Sequence, residues 1–323
     1  MGVLVGDCCG APFEGRKVDP NILNEQIGKI MTSTSDSLQF TDDTAMTKST
    51  CKSLIKNKGL DPRHLAKEYS ESYFKEPRRG YGAAVRQVFT LLRDTKYQDP
   101  YGPAAAQFNG SGSFGNGAAM RCCGIALFAF KNKLNDRQTL DLVENCSRIT
   151  HSHIYGIHGA VLLVLAIKFI LSLDEDALNE NDFLDHLTKN MSDLENSDDK
   201  IYTGKMRSIK NVIEHLSISG LDTSQHEIVA LLGNDVSAQN SVPLAIYSFI
   251  RGNSKFTDSY HIENEFVRTM HWAISCGGDT DTIASMACAL SGAYLGIGKV
   301  PESLYKKCET WQEMLTLADQ LSA

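Results

Sequence analysis

Ala160-Val161-Leu162-Leu163-Val164-Leu165-Ala166-Ile167-Lys168-Phe169-Ile170 is strongly apolar and reads as a core-facing helix, which sets how the rest of the chain is read. Helical spacing recurs on its N-terminal side. Apolar positions after Thr44 lead to Leu54 and Ile55, followed by Leu65, Tyr69 and Tyr73, then Val85, Val88, Phe89 and Leu92. Convincing strand alternation is absent. Turn signals at Asp61-Pro62, Asp99-Pro100-Tyr101-Gly102-Pro103 and Arg251-Gly252-Asn253-Ser254 punctuate these helices at short intervals, as in a compact bundle. Residues 174–200 are acidic, with Asp174, Glu175, Asp176, Glu180, Asp182, Asp185, Asp193, Glu195, Asp198 and Asp199, and could serve as an interdomain linker. Phe183, Leu184, Leu187, Met191 and Leu194 recur at helical spacing within them and favour a solvated surface helix. No long internal repeat is visible. The expectation is one all-α domain spanning residues 1–323.

A chain of 323 residues, 42% of them hydrophobic, can bury a substantial core. Its 32 basic and 39 acidic side chains give a net charge of −7, which repels a phosphate backbone and supplies no counterion release, so direct DNA binding is not expected. An anionic ligand must be held locally. The nine cysteines include the adjacent pairs Cys8/Cys9 and Cys122/Cys123 but no C-x-x-C, and fit a reduced intracellular compartment. No apolar run reaches the eighteen or so residues of a membrane span, and the N-terminus lacks a signal-peptide pattern. Gly6 stands where myristoylation of Gly2 wants Ser or Thr. No membrane association is expected.

Two segments carry the chemistry. Thr41-Asp42-Asp43-Thr44 lies just before the helical run Ala45 to Ile55. A capping cluster would explain it, yet adjacent carboxylates repel and a hard divalent cation is the usual reason to pair them. Gly277-Gly278-Asp279-Thr280-Asp281-Thr282 leads into a helix rich in small residues, Ile283 to Ala293. Its alternating carboxylates and hydroxyls make an oxygen-rich loop at a helix N-terminus, with an Asx-turn as the bland alternative. Oxygen-only ligands select Mg²⁺, Mn²⁺ or Ca²⁺. If the two segments meet, they can hold a two-metal centre that activates water or chelates substrate hydroxyls.

Gly6-Asp7-x-x-Gly10-x-Pro12-x-Glu14, Thr41-Asp42-Asp43-Thr44, Gly115-Asn116-Gly117-Ala118-Ala119-Met120-Arg121 and Gly277-Gly278-Asp279-Thr280-Asp281-Thr282 together resemble the ADP-ribosylglycohydrolases, in that family's order and over nearly the whole chain. Gln107-Phe108-Asn109-Gly110-x-Gly112-Ser113-Phe114-Gly115-Asn116-Gly117 resembles the subgroup that removes ADP-ribose from serine and cuts poly(ADP-ribose). The resemblance implies a compact orthogonal helical bundle. It implies two Mg²⁺ ions, with Mn²⁺ as a substitute, on Thr41, Asp42, Asp43, Asp279, Asp281 and Thr282, binding the diol of the distal ribose. Glu14 would sit on a mobile flap and move protons in general acid/base work, with Asp281 or Asp43 as alternatives; Asp42 belongs to the same catalytic array. The implied partners are ADP-ribosylated proteins and poly(ADP-ribose), acted on by a monomer in cytoplasm, nucleus or mitochondrion.

The glycines and asparagines of Phe108 to Gly117 let backbone N–H groups approach a diphosphate, and Phe108 and Phe114 could clamp the adenine. A flexible loop anchored by two core phenylalanines is the bland reading. With the resemblance, Gly112, Ser113, Phe114, Gly115 and Asn116 become ligand contacts; the subgroup often has tyrosine at Phe114, so the ring is kept and the hydroxyl lost. His151-x-His153-x-x-x-x-His158 is a weak zinc candidate, since His151 and His153 would lie about 200° apart on a helix. The resemblance instead puts His151 on ribose or phosphate, and leaves His153 and His158 for packing. Arginine-specific ADP-ribosyl hydrolysis and a non-catalytic relative that binds ADP-ribose or serves a structural role are the alternatives. The chemistry of Gly233-Asn234-Asp235-Val236 through Ser241 to Tyr247 is not readable from residue types.

Overall fold

The computed structural model describes every residue except 34–36, 175–176, 197, 221–222, 255–259 and 323. Glu175 and Asp176 of the acidic stretch, and the final residue of the expected domain, thus lie outside the described residues. Among the described residues there are seventeen α-helices and no β-strand; Leu38 with Cys308 and Gly115 with Ser237 form isolated bridges. The fold is all-α, as the sequence led one to expect.

Eight of these helices are α1 (Gly2–Gly10), α2 (Asp42–Asn57), α3 (Ala83–Asp94), α4 (Ile154–Leu171), α5 (Glu180–Leu194), α6 (Ala238–Asn253), α7 (Glu265–Ser275) and α8 (Thr280–Leu295). Helix α4 is apolar on nearly every face because every face meets another helix, among them Cys123–Lys131, Asp136–Arg148, α6 and α8. At 18 residues and a mean hydropathy of 2.2 it is long and apolar enough to cross a membrane, contrary to the sequence reading that no run reaches that length. The helix extends back from the apolar stretch at Ala160 through Gly156 and Tyr155 to Ile154, which gives it that length. Within the fold, 67% of that window is buried against protein.

Helix α1 lies backbone to backbone on α8. Gly2, Gly6 and Gly10 recur every fourth residue and so share one face. A Cβ at Gly6 would sit 2.2 Å from the Ala284 carbonyl oxygen, and one at Gly10 would sit 2.5 Å from that of Thr280. Only glycine permits this approach, which holds Asp7, on the flank of α1 next to the glycine face, beside the start of α2.

The acidic stretch does contain a helix. In α5, Phe183, Leu184, Leu187 and Met191 are buried and Leu194 is half-buried, while the carboxylates of Asp182, Asp185 and Asp193 lie outward. Asp61 and Asp99 act as the turn reading expects: Asp61 accepts from the N–H groups of Arg63 and His64 to cap Pro62–Lys75, and Asp99 accepts from Tyr101 and Gly102. Arg251-Gly252-Asn253 does not form a turn. Helix α6 runs through Asn253, and Gly252 serves a helix crossing, since a Cβ there would lie 2.1 Å from Thr269 Oγ1 of α7.

Candidate active site

Both aspartate pairs sit at helix N-termini, where the helix dipole and free N–H groups favour negative charge. Thr41 is the N-cap of α2, accepting from the Asp43 N–H, so Asp42 and Asp43 occupy its first turn. Asp279 is the N-cap of α8 but makes no side-chain capping bond, which leaves its carboxylate for other partners; Asp281 follows in the first turn. Thr282 Oγ1 donates to Asp43 Oδ2 at 3.1 Å and joins the two segments.

Asp7 had no role assigned from sequence. Its carboxylate, fully buried, accepts from Thr41 N and Oγ1 (3.0 and 2.8 Å) and from Thr44 N and Oγ1 (3.0 and 2.6 Å), gripping both threonines of the motif. Burial raises its pKa to about 6 against the lowering effect of these bonds. The signal was one acid in an otherwise apolar helix, Gly2–Gly10, where a buried charge must have partners.

A cavity of about 310 Å³ opens above the helix ends. Glu14, Asp42, Asp279, Asp281 and Thr282 line it, together with Ser113, Gly115, Asn116, Gly117 and His151. Glu14, Asp279 and Asp281 each present an oxygen within 4.8 Å of the others. Gly15, next to Glu14, donates its N–H to the Gly278 carbonyl, which ties the two loops together. Thr41 and Asp43 stand behind the cavity wall rather than on it. Gly80, Gly82 to Val85, Met46 and Gln107 also line the cavity; of these the sequence had marked only Gln107, as the first residue of the glycine loop, and Val85, as a helix position.

No Lys or Arg is among the described residues lining this cavity. Burial and mutual repulsion therefore go uncompensated: Asp42 and Asp43 are pushed well above the usual carboxylate range, first by burial and then by neighbouring carboxylates. Asp281 rises to about 7 from burial and Asp279, and Glu14 is raised by Asp281 and then by burial. Asp43 Oδ1 is buried with no hydrogen-bond partner. Hard oxygen donors, an orphaned carboxylate oxygen and the absence of a basic partner together fit a divalent cation such as Mg²⁺.

The glycine loop packs against these carboxylates. Asn116 Nδ2 donates to Asp279 Oδ2 at 2.5 Å and to Ser241 Oγ at 3.1 Å, so its amide holds a carboxylate in place while the residue lines the cavity. Gly112 does not line the cavity; its φ is +74°, and a Cβ would sit 2.1 Å from Ser152 Oγ. Phe108 and Phe114 are 58% and 49% exposed and are not core anchors. Phe114 meets His153 edge-on at 5.7 Å. The segment from Gly233 buttresses the second aspartate loop, with the Asn234 carbonyl accepting the Asp279 N–H at 2.9 Å.

His151 and His153 do not share a helix, because α4 begins at Ile154. His153 is its N-cap, Nδ1 accepting from Tyr155 N–H, and His151 Nδ1 bonds Thr150 Oγ1 at 2.7 Å. His158 is half-buried on α4.

The ADP-ribosylglycohydrolase family model matches residues 1–323. The chain is 38% identical to "ADP-ribosylhydrolase ARH3" of Gallus gallus over 342 residues, covering 99% of this chain and 90% of that protein. It is 36% identical to the Homo sapiens protein of the same name over 340 residues, with the same coverage. A solved "ADP-ribosylglycohydrolase-related protein complex" shares the fold at a TM-score of 0.62 and 21% identity, over 99% of this chain and 94% of that one.

Proposed function

This chain belongs to the ADP-ribosylglycohydrolase family, and from that premise we propose that it is a Mg²⁺-dependent hydrolase of the O-glycosidic bond joining ADP-ribose to serine in proteins. Poly(ADP-ribose) and related ADP-ribose esters are further substrates in this reading, and ADP-ribose is the product. The observation that carries it is the convergence of Glu14, Asp42, Asp279 and Asp281 on one cavity that residues of the glycine loop also line.

Asp42, Asp43, Asp279 and Asp281, with the hydroxyls of Thr41 and Thr282, would hold two Mg²⁺ ions or Mn²⁺ in their place. When bound, these ions supply a chelate for the ribose diol and a lowered pKa for a bound water. The carboxylate array stabilises positive charge at the anomeric carbon as the glycosidic bond lengthens. Glu14, exposed at the cavity edge, moves the proton at its carboxylate; its raised pKa supports that role. In this reading the loop Ser113 to Gly117 lies along the diphosphate, with the Asn116 N–H already given to the Val236 carbonyl and the Gly115 N–H to Ser113 Oγ, and Phe108 and Phe114 offer rings to the adenine. One hydrophobic cluster containing residues from Val3 to Leu321 supports a single domain. Nine free cysteines support a reducing compartment, the cytoplasm and nucleus or the mitochondrion, where a monomer meets ADP-ribosylated proteins.

The test is ADP-ribose release from a serine-ADP-ribosylated peptide beside an arginine-ADP-ribosylated one. Release from the serine peptide with Mg²⁺ is expected, lost in EDTA and in the Asp42→Ala/Asp43→Ala variant, which keeps its helical circular dichroism. Release from the arginine peptide alone, or full activity in EDTA, overturns the proposal.

A further inference from the structure

We propose that Thr150 and Arg121 are positioning residues that fix His151 as a neutral hydrogen-bond donor, its Nε2–H presented to an oxygen of the ligand in the cavity. The inference rests on the reading that this ligand is ADP-ribose, and deepens it.

The Arg121 guanidinium is 1% exposed. It donates from one terminal nitrogen to the Gly117 carbonyl and to Thr150 Oγ1, both at 2.7 Å, and from the other to the Cys146 carbonyl at 3.0 Å. Its cationic plane also lies over the Tyr69 ring, 4.7 Å from the centroid. A guanidinium only donates, so Thr150 Oγ1 is the acceptor in that bond. The hydroxyl proton is then directed at its other partner, His151 Nδ1, 2.7 Å away. Nδ1 must offer a lone pair, and the ring proton of a neutral imidazole belongs on Nε2.

Neutrality follows from the surroundings. His151 is 7% exposed, and burial followed by the Arg121 charge holds its pKa down at about 3. Nε2 makes no hydrogen bond among the described residues, although His151 lines the cavity. The ring is also fixed in plane. A Cβ at Gly117 would sit 2.7 Å from Cε1 and 3.0 Å from Nε2, so the glycine loop packs close against the imidazole. One guanidinium therefore sets both the loop, through the Gly117 carbonyl, and the tautomer, through Thr150. In a cavity lined by four carboxylates and no Lys or Arg among the described residues, a phosphate or ribose oxygen is met by neutral N–H donors, which add no positive charge to compete with a cation for the carboxylates.

The experiment is ¹⁵N-histidine NMR of the full chain, with calorimetric titration of ADP-ribose in Mg²⁺, for wild type, Thr150→Val and Thr150→Ser. Wild type is expected to show the Nε2–H tautomer at His151. Thr150→Val should lose that preference and bind ADP-ribose about tenfold more weakly, and Thr150→Ser should restore both. A wild-type Nδ1–H signal, or a Thr150→Val protein with unchanged tautomer and affinity, overturns the relay. Should Thr150→Val not fold, the wild-type spectrum and Thr150→Ser decide alone. An Nε2–H signal in a wild type that binds no ADP-ribose upholds the relay and removes the ligand reading instead.

Discussion

Gly6→Ala is expected to pull the two carboxylate clusters apart. The new Cβ would lie 2.2 Å from the Ala284 carbonyl oxygen and 2.4 Å from its carbon, backbone atoms that cannot rotate aside. Ordinary contact begins at 3.4 Å, so α1 and α8 must separate by about 1.2 Å, the difference from 2.2 Å. Overpacking of this kind costs about 3 kcal/mol. For 323 residues the unfolding entropy is about 0.7 kcal/mol/K, and the loss lowers Tm by roughly 4 °C. Asp7 moves with α1, and Thr41 and Thr44 with Asp7, so the 3.1 Å bond from Thr282 to Asp43 opens. Mg²⁺ at a hundred times its Kd stabilises a folded protein by about 2.7 kcal/mol; the wild type should show that rise and Gly6→Ala most of its loss. Differential scanning calorimetry with saturating Mg²⁺ and with EDTA reads both. Gly28→Ala is the control, since its Cβ meets nothing within 4 Å on helix Pro20–Thr32, and it should stabilise by about 0.4–1 kcal/mol. A Gly6→Ala protein that melts with the wild type and keeps the full Mg²⁺ shift would refute the reasoning.

Asp7→Asn turns an amide N–H toward the donors of Thr41 or Thr44; two unsatisfied buried donors should cost about 3 kcal/mol in urea unfolding and weaken Mg²⁺ binding. Asp43→Ala should melt at or above the wild type in EDTA, because it removes a buried carboxylate with no cationic partner, yet should lose its Mg²⁺ stabilisation; a lower Tm in EDTA would contradict this. His151 has a folded pKa of about 3, below the unfolded value of 6.5, so the unfolded chain takes the proton first and stability falls with pH between those values. That amounts to about 1.6 kcal/mol between pH 6.5 and 5, measurable as a narrowing gap between wild type and His151→Gln in urea; a constant gap would argue against a depressed His151.

Local chemistry was legible where one segment contains its own explanation. The apolar stretch at Ala160 to Ile170 announces a helix surrounded by helices, and the spacing of Phe183, Leu187 and Met191 identifies a surface helix within an acidic run. Paired aspartates at helix starts point to a hard cation or to a capping cluster, and residue type alone leaves both open. The misreadings are also local. Gly252 carries the same letter whether it ends a helix or lets two helices cross, and His151 and His153 can be placed on a helix until the first residue of α4 is known.

What the sequence by itself determined is thus the fold class and the positions of six helices, Asp42–Asn57, Pro62–Lys75, Ala83–Asp94, Ile154–Leu171, Glu180–Leu194 and Thr280–Leu295, because hydrophobic period acts within a few turns of chain. The tertiary structure alone decided that the segments meet. Thr282 reaches Asp43 across 239 positions and Asn116 reaches Asp279 across 163, and no periodicity encodes either bond. They form because three glycines let α1 press its backbone onto α8 while Asp7 on the flank of α1 grips the start of α2, so that close packing brings two separate helix ends together.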